Sequence, residues 1–366
     1  MHLAVTGWSV LCSAGIGRAP FSAAVSDGAA RSPAADVRSL YTDALPSTRG
    51  HVVPDLNART ALGRKGTGSL DRRTVLALIA CRDALGDAGV SLDDSNRHRI
   101  GVTLGTTWGS FQAMSDYTKD TFVEERPYLV EPARFPNTVM NCAAGQAAIW
   151  FGLKGVNATV AGGAIAFLNA LEYATNLLRC GYADRILAGA VEEFTPHTAW
   201  ATHLLQDPAS DVPTGEAAAV FMIERAQDAS AAQRHVHGEV LSVAIGFAPG
   251  GVAGGGAGAA LARCIRRALD RAQIDPHEVS LVATVERGDD PRGDNIESDA
   301  IRHVFNGSCP RRIAPKALFG DCHAALGALQ LGAVLVLRAD HETDARVSLL
   351  TACTDEGAVG AAVVKA

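Results

Sequence analysis

The sequence predicts a layered α/β fold built from two similar halves. Short β-rich runs alternate with longer runs of helical periodicity, an order typical of helices packed on sheets. The same order of elements recurs in the second part of the chain. Glycine is abundant, with 37 residues, and aromatic residues make up only 5% of the 366-residue chain, a composition that lets helices and sheets approach closely.

The first half opens with a strand and continues with alternating helices and strands. Residues 3–6 predict a strand that Gly7 closes. The clearest helix spans residues 71–90, because Asp71 can cap its N-terminus, its apolar residues share one face and Gly89 is placed as a C-cap. Further strands are expected at residues 99–104, 158–161, 185–190 and 217–224, and further helices at residues 143–153 and 165–178.

A polar stretch at residues 225–234 marks the predicted junction between halves, which we place at 1–234 and 235–366. Residues 31–54 lack periodicity and predict an irregular surface loop. Beyond the junction, strands are expected at residues 239–245, 279–285, 346–350 and 360–364, and helices at 259–272, 295–304 and 324–337.

The composition excludes several classes of protein. A formal net charge of −6 argues against a nucleic-acid groove and against attraction to a membrane surface. No apolar run reaches the roughly 18 residues of a membrane span, and no signal-type segment opens the chain, so we expect a cytoplasmic protein. The eight cysteines are then expected to be reduced and mostly buried, and they form no C-x-x-C pair. We expect neither a metal nor a cofactor.

A series of motifs occurs in fixed order along almost the whole chain. They are TGWSV at 6–10, AGIG at 14–17, the helix at 71–90, NCAAGQ at 141–146, GLKGVNATV at 152–160, GAVEE at 189–193, GEAA at 215–218, D-x-x-E at 294–297 and K-x-x-x-G at 316–320. Together they resemble the landmarks of the β-ketoacyl synthases, the ketosynthase branch of the thiolase-fold superfamily. The resemblance implies a duplicated thiolase fold with five layers, αβαβα, and a dimer in which strand 158–161 pairs across the two-fold axis.

The resemblance also implies a catalytic set that this chain lacks. A condensing enzyme of the family uses a cysteine thiolate to take the acyl chain and two histidines to assist decarboxylation and hold the oxyanion. The matching positions are Ala164, Glu286 and Asp321. Carboxylates at the histidine positions would repel both an oxyanion and an incoming malonyl group. We therefore predict no catalytic residues and no condensation by this chain alone.

Two further family features concern the same site. The family's glycine-rich loop with a gating phenylalanine corresponds to residues 355–360, which contain no phenylalanine. Glu297 and Lys316 do match family positions. They could tune a site, but the interpretation we favour is a structural ion pair, with Asp294 capping the helix.

Among members of this family, the chain is most similar to chain-length factors, which lack the cysteine and pair with an active ketosynthase in type II polyketide synthases. This similarity implies two partners, an active ketosynthase and an acyl carrier protein that bears the growing chain. In the aromatic-polyketide versions a glutamine usually fills the cysteine position. Ala164 departs from that pattern and favours a factor from a reducing, polyene-type system.

The resemblance also implies which residues wall the tunnel for the growing chain. They lie on the helix after residues 105–110 and are Phe111, Met114 and Thr118, which share one helical face. Such a stripe is equally typical of an ordinary hydrophobic core, so both interpretations stay open.

Three other functions remain as alternatives. The chain could decarboxylate malonyl carriers, although no glutamine or histidine is placed for this. It could be an independent enzyme that uses Cys322 with His323, although adjacent residues on a helix point about 100° apart. It could also be a homodimeric scaffold without a synthase partner.

Overall fold

Two sets of five strands form the framework of the chain in a computed structural model that describes residues 1–28, 32, 34–63, 67–205, 212–251, 254–285, 296–306, 310–339 and 347–366. The strands are β1 (Leu3–Cys12), β2 (Gly15–Ile16), β3 (Ala35–Asp36), β4 (Arg49–Gly50), β5 (Ile100–Thr106), β6 (Asn157–Ala161), β7 (Arg185–Glu192), β8 (Ala217–Arg225), β9 (Gly238–Phe247), β10 (Val279–Ala283), β11 (Arg311–Ile313), β12 (Val347–Cys353) and β13 (Ala358–Lys365). The helices are α1 (Arg18–Asp27), α2 (Ala58–Leu62), α3 (Arg72–Asp87), α4 (Phe111–Val123), α5 (Cys142–Phe151), α6 (Ala166–Arg179), α7 (Pro196–Leu205), α8 (Ala226–Ala231), α9 (Ala257–Ala272), α10 (Ile296–Phe305), α11 (Pro315–Phe319) and α12 (Ala325–Ala339). Short 3₁₀ helices lie at Arg97–Arg99, Pro132–Thr138, Gly163–Ile165 and Pro276–Glu278.

The two sets of strands have the same topology. The order is β6-β5-β7-β8-β1 in the first set and β11-β10-β12-β13-β9 in the second. In each set the first three strands are parallel and the last two pairings are antiparallel. A short antiparallel pairing of β1 with β9 joins the two sets. This repetition of strand order and direction confirms the predicted duplication.

Helices cover both sets of strands and also separate them, which gives five layers. On the outer face of the first set, α3 and α5 pack through a core that includes Leu76 and Ile79. Between the sets, α6 and α12 form the central core around Phe167 and Leu329. On the outer face of the second set lie α9 and α10. This is the αβαβα arrangement that the sequence predicts.

The contact between α3 and β1 shows one prediction that is correct and one that is wrong. Asp71 caps α3 by accepting a hydrogen bond from the N–H of Thr74 at 2.7 Å, as predicted. Gly7, predicted to close the first strand, lies inside β1 where the pairing register shifts. A Cβ at Gly7 would lie 2.5 Å from the backbone nitrogen of Ala88. The glycine therefore allows α3 to pack closely on β1 and does not end the strand.

The predicted junction and the predicted surface loop both contain ordered structure. The polar junction at residues 225–234 contains α8, and Arg234 pairs with the buried Glu224. In the segment at 31–54 the described residues are largely irregular, but Val37 and Val52 are buried against Phe194 in a small separate core. Within the described residues, none of the helices combines the length and the apolar character that crossing a membrane requires.

Candidate functional site

Ala164 lies at the start of α6, where the chain leaves β6. Gly163 has φ +60°, a conformation that glycine adopts readily, and the 3₁₀ turn Gly163–Ile165 leads directly into α6. The N–H groups at the start of a helix favour a negative group such as a thiolate. The side chain here is a partly buried methyl group that packs against the central core. This helix start therefore carries no nucleophile.

Asp321 lies between α11 and α12 in a fixed backbone setting. Its N–H donates to the carbonyl of Pro213 at 2.9 Å, and its carbonyl accepts from the N–H of Gly215 at 2.9 Å. Its carboxylate lies 2.7 Å from Nζ of Lys316 and accepts the N–H of His323 at 3.0 Å. Burial alone would raise the pKa of Asp321, but Lys316 and His323 outweigh it and hold the pKa well below its usual range. An anion therefore stands at this predicted histidine position.

Cys322 and His323 have different surroundings. The thiol of Cys322 is fully buried and donates to the carbonyl of Phe319 at 3.5 Å. Burial raises its pKa well above the usual value for a thiol. The imidazole of His323 lies edge-on to Trp108, with ring centroids 6.0 Å apart, and its Nε2 is 3.3 Å from the hydroxyl oxygen of Thr202. This arrangement gives no support to a Cys322–His323 enzyme.

A buried carboxyl beside His323 was not assigned a role from the motifs. Glu192, at the end of β7, accepts hydrogen bonds from the hydroxyl of Thr106 at 3.2 Å and from the N–H of Thr107. Burial raises the pKa of Glu192, and the nearby His323 partly offsets this effect. The hydroxyl of Thr107 in turn accepts the N–H of Ala324 at 3.1 Å, which ties the end of β5 to the start of α12. The sequence gives no signal of this cluster, because its members are far apart in the chain.

Glu297 has the contacts of a structural residue. It is buried at the start of α10 and accepts hydrogen bonds from the N–H of Val285 at 3.1 Å and from the hydroxyl of Thr351. These bonds connect α10 to the segment that follows β10 and to β12. Two of the predicted positions, Glu286 and Asp294, lie outside the described residues.

A tight turn joins β12 and β13 at the residues where the resemblance implies the gating loop. The N–H of Thr354 donates to the carbonyl of Ala358 at 2.9 Å, and the N–H of Gly357 donates to the carbonyl of Thr354 at 3.0 Å. A Cβ on Gly163 would lie 3.6 Å from the methyl group of Thr354. The turn therefore packs beside the helix start that carries Ala164.

Phe111, Met114 and Thr118 lie along one face of α4, and none of them is in the core. The ring of Phe111 is partly buried between Trp108 and His197, at centroid distances of 5.9 Å and 5.4 Å. Met114 is 41% exposed. Thr118 is also exposed, and its hydroxyl donates to the carbonyl of Met114 at 2.8 Å. The core interpretation of this stripe therefore has no support within the chain.

The other side of α4 borders a cavity of about 570 Å³. Gln112, Ala113 and Asp116 line it from the helix. Because successive helix residues are rotated by about 100°, the stripe from Phe111 to Thr118 lies on the far side of α4. The predicted tunnel residues therefore do not line this cavity.

The edge strand of the first set, β6, is unpaired on its outer edge among the described strands, and exposed apolar side chains lie near it. β6 pairs with β5, and among the described strands none pairs with its other edge. Along α4, α5 and the segment between these two helices, apolar side chains that a monomer would normally cover are exposed. We call these the apolar patch, which consists of Phe122, Phe135, Val139, Met140 and Ile149.

The described part of the chain offers few groups for binding or redox chemistry. It contains no cluster of three or more histidine, cysteine or acidic side chains that could hold a metal ion. Of its seven cysteines, six are buried and Cys180 is exposed. Cys309 lies outside the described residues.

Comparisons with known proteins place these features in a family context. The family model of the β-ketoacyl synthase N-terminal domain matches residues 2–229, and that of the C-terminal domain matches residues 238–343. The chain is similar to 3-oxoacyl-[acyl-carrier-protein] synthase 2 of Staphylococcus aureus (strain N315), with 25% identity over 81% of this chain and 80% of the relative.

Solved structures share the fold over the whole chain. The structure described as the ishigamide ketosynthase/chain length factor is 34% identical, with a TM-score of 0.84 over 100% of this chain and 99% of that one. A type II polyketide synthase acyl-carrier protein in complex with its ketosynthase, bound to the hexaketide, matches with 20% identity and a TM-score of 0.81 over 100% of this chain and 99% of that one. The second likeness shows the fold alone.

Proposed function

The chain belongs to the β-ketoacyl synthase family, and from that premise we propose that it is a non-condensing, chain-length-factor-like subunit of a type II polyketide synthase. The observation that carries this proposal is the start of α6, where Ala164 offers a methyl group in place of a nucleophile. Asp321 supports it, since its carboxylate stays ionised beside Lys316 where a condensing enzyme needs a neutral or donating group. The active ketosynthase partner supplies the thiol and both histidines.

The tunnel role rests on the position of α4. The ring of Trp108 lies edge-on to His323 at a centroid distance of 6.0 Å, and the ring of Phe111 is tilted against Trp108 at 5.9 Å. This aromatic series closes the inner end of the site in this subunit. A chain growing on the partner's thiol would meet the exposed side of α4, where Met114 and Thr118 set the space that remains. Their bulk then determines product length.

The partner surface rests on the free edge of β6 and the apolar patch. A free strand edge can pair with the same strand of a related subunit, and the apolar patch beside it supplies area to bury. The similar ketosynthase/chain length factor supports a ketosynthase as the partner. An acyl carrier protein that delivers the growing chain is the second partner that the resemblance to chain-length factors implies. We place this assembly in the cytoplasm.

The test is co-expression with the intact Cys-His-His ketosynthase encoded nearest to this gene. We expect a one-to-one complex on size-exclusion chromatography, and elongation of malonyl-loaded carrier protein by the complex but by neither subunit alone. A ketosynthase from an unrelated pathway serves as the control and should not co-purify. A stable homodimer of this chain that ignores every neighbouring ketosynthase would instead support the scaffold alternative.

A further inference from the structure

Arg73, in the first turn of α3, is fully buried and forms no ion pair with the described residues. Its guanidinium donates instead to two backbone carbonyls, from Nη1 to Met140 at 3.0 Å and from Nη2 to Val139 at 3.4 Å. Its Nε has no hydrogen-bond partner among the described residues. Burying a charged group costs free energy that its hydrogen bonds must offset. Within the described part of the chain, those bonds all go to one turn.

This turn lies between the preceding 3₁₀ helix and α5, and we call residues 139–141 the anchored turn. Buried side chains hold both of its ends. Before it, the side-chain amide of Asn137 donates to the carbonyl of Ser69 at 2.7 Å. After it, the N–H of Cys142 donates to the carbonyl of Val139 at 3.1 Å, and its thiol donates to Oδ1 of Asn137 at 3.4 Å. The backbone of the turn is therefore fixed from beneath.

The supports of the anchored turn are themselves held in place. The N–H of Arg73 donates to Oε2 of the buried Glu193 at 3.1 Å, which fastens the start of α3 to the residue after β7. On the other side of the turn, Gly109 has φ +68°, and a Cβ there would lie 3.1 Å from Cγ of Met140. A glycine at this position lets the segment before α4 pack closely on the turn.

The outer face of the anchored turn is apolar and uncovered. Val139 is 42% exposed and Met140 is 43% exposed, and both belong to the apolar patch. A lone chain gains little from holding two exposed apolar side chains in one conformation. A binding surface does gain, because ordering these side chains before binding lowers the entropic cost of association. The contrast between the buried support and the exposed face therefore points to a partner.

We propose that Arg73 is a positioning residue of the subunit interface, which holds the anchored turn so that Val139 and Met140 meet an apolar surface of the partner without rearrangement. The inference rests on the proposed function, because the partner is the active ketosynthase proposed there. Arg73 is buried beneath the turn and does not touch that partner. Its effect on assembly passes through the turn.

The central variant is Arg73→Met, which keeps an unbranched side chain and removes the charge and the donors. Replacing buried charged groups by apolar ones of similar volume is often neutral or stabilising, so the melting temperature of the lone chain should stay the same or rise. Affinity for the ketosynthase, measured by titration, should nevertheless fall about 10-fold. Arg73→Lys lacks the fork of donors and should weaken binding about 3-fold. Arg82→Met removes an exposed arginine from the same helix and is the matched control, which should change neither quantity.

Two further measurements separate positioning from packing. In the lone chain, Arg73→Met should speed hydrogen exchange at the amide of Cys142, which donates to the turn, and leave the amides in the middle of α3 unchanged. In a chain that carries Val139→Ala and Met140→Ala, which weaken binding themselves, Arg73→Met should reduce affinity little further. Residues that act through one contact are not additive.

Each result decides for or against the inference. If the unaltered chain binds no neighbouring ketosynthase, the proposed function fails and this inference fails with it. If the unaltered chain binds and Arg73→Met binds equally well, the inference alone is overturned. A lower melting temperature with unchanged affinity would make Arg73 an ordinary core residue, and an equal loss of affinity without the two turn side chains would show that it acts elsewhere. If Arg73→Met does not fold, Arg73→Lys decides by the same comparisons.

Discussion

Residue 164 lies at the start of α6, where the N–H groups of the helix would stabilise an anion. The alanine at this position has no side chain that can ionise. Asp321 complements this picture, because its carboxylate is held ionised by Lys316 and the N–H of His323. Catalytic groups in such sites act as a unit, so one restored member recovers little of the activity. Ala164 and Asp321 therefore both support the proposal that this chain does not condense acyl groups by itself.

This reasoning predicts the behaviour of Ala164→Cys. A thiol at this helix start should react with a cerulenin-type electrophile, since the helix lowers the pKa of a cysteine placed there. Elongation of malonyl-loaded carrier protein should still be undetectable without a partner, because Asp321 remains. Peptide mapping by mass spectrometry locates the label, and carrier-protein gels or chromatography follow elongation.

Two comparisons make this result decisive. Ala164→Ser has the same size without the thiol and should remain unlabelled at residue 164, as should the unaltered chain. Labelling at Cys180 is expected in all three proteins, because that thiol is exposed. Stoichiometric labelling of Cys322 in the unaltered chain would show that its burial is misjudged and restore the independent-enzyme alternative. Elongation by Ala164→Cys alone would mean that the histidine positions are misplaced.

At the scale of elements, α4 separates two different environments. One side carries Phe111, Met114 and Thr118, from the aromatic contact with Trp108 outward to exposed positions. The other side faces the polar cavity. No residue of α4 is buried, so the lone chain leaves much of the surface of this helix uncovered. The exposed stripe is then available to a partner or to the growing chain.

The stripe can be tested through product length. In the complex with the active ketosynthase, Phe111→Ala should lengthen the product, because it removes a ring that limits the tunnel, and Thr118→Phe should shorten it. Acylation of the partner's thiol should be unchanged, since the chemistry belongs to that subunit. Chromatography of the products and the melting temperature of the complex are measured together.

Controls distinguish a tunnel wall from a packing residue. Ala113→Leu enlarges a side chain on the opposite side of α4 and should leave product length unaltered. If Phe111 were an ordinary core residue, its truncation would cost about 3–5 kcal/mol, and a destabilised complex would make the original product. That combination would remove these residues from the tunnel.

Elements with local signals could be predicted from the sequence, and contacts between distant segments could not. The cap at Asp71 and the apolar periodicity of α3 are local, so this helix was placed correctly. Gly7 was misjudged because its reason, the close approach of α3, is a tertiary contact. The contact of Glu192 with its neighbours near His323 and the cavity beside α4 could not be predicted either. Each of them brings together residues from separate parts of the chain.

The whole molecule repeats one arrangement of strands twice, and both edge strands, β6 and β11, have an outer edge that is unpaired among the described strands. The apolar patch lies beside β6, at the edge of the first set. Exposed edges and apolar surfaces of this kind are normally covered in a stable protein. A second subunit of the same fold, with its own strand at the corresponding edge, would cover both at once. The open edge of β6 and the apolar patch therefore support the assembly that we propose.

The apolar patch makes a last prediction, about assembly. Ile149 is 75% exposed on α5, so Ile149→Glu should leave the fold of the lone chain unchanged. In the complex the same charge would be buried without a partner, and affinity for the ketosynthase should fall at least about 10-fold. Phe247→Glu is the matched control, since Phe247 is 60% exposed at the end of β9 and lies outside the patch. Affinity measured by titration, with circular dichroism of each variant, separates assembly from folding. If Ile149→Glu binds as tightly as the unaltered chain while Phe247→Glu does not, the interface lies on the second half of the molecule.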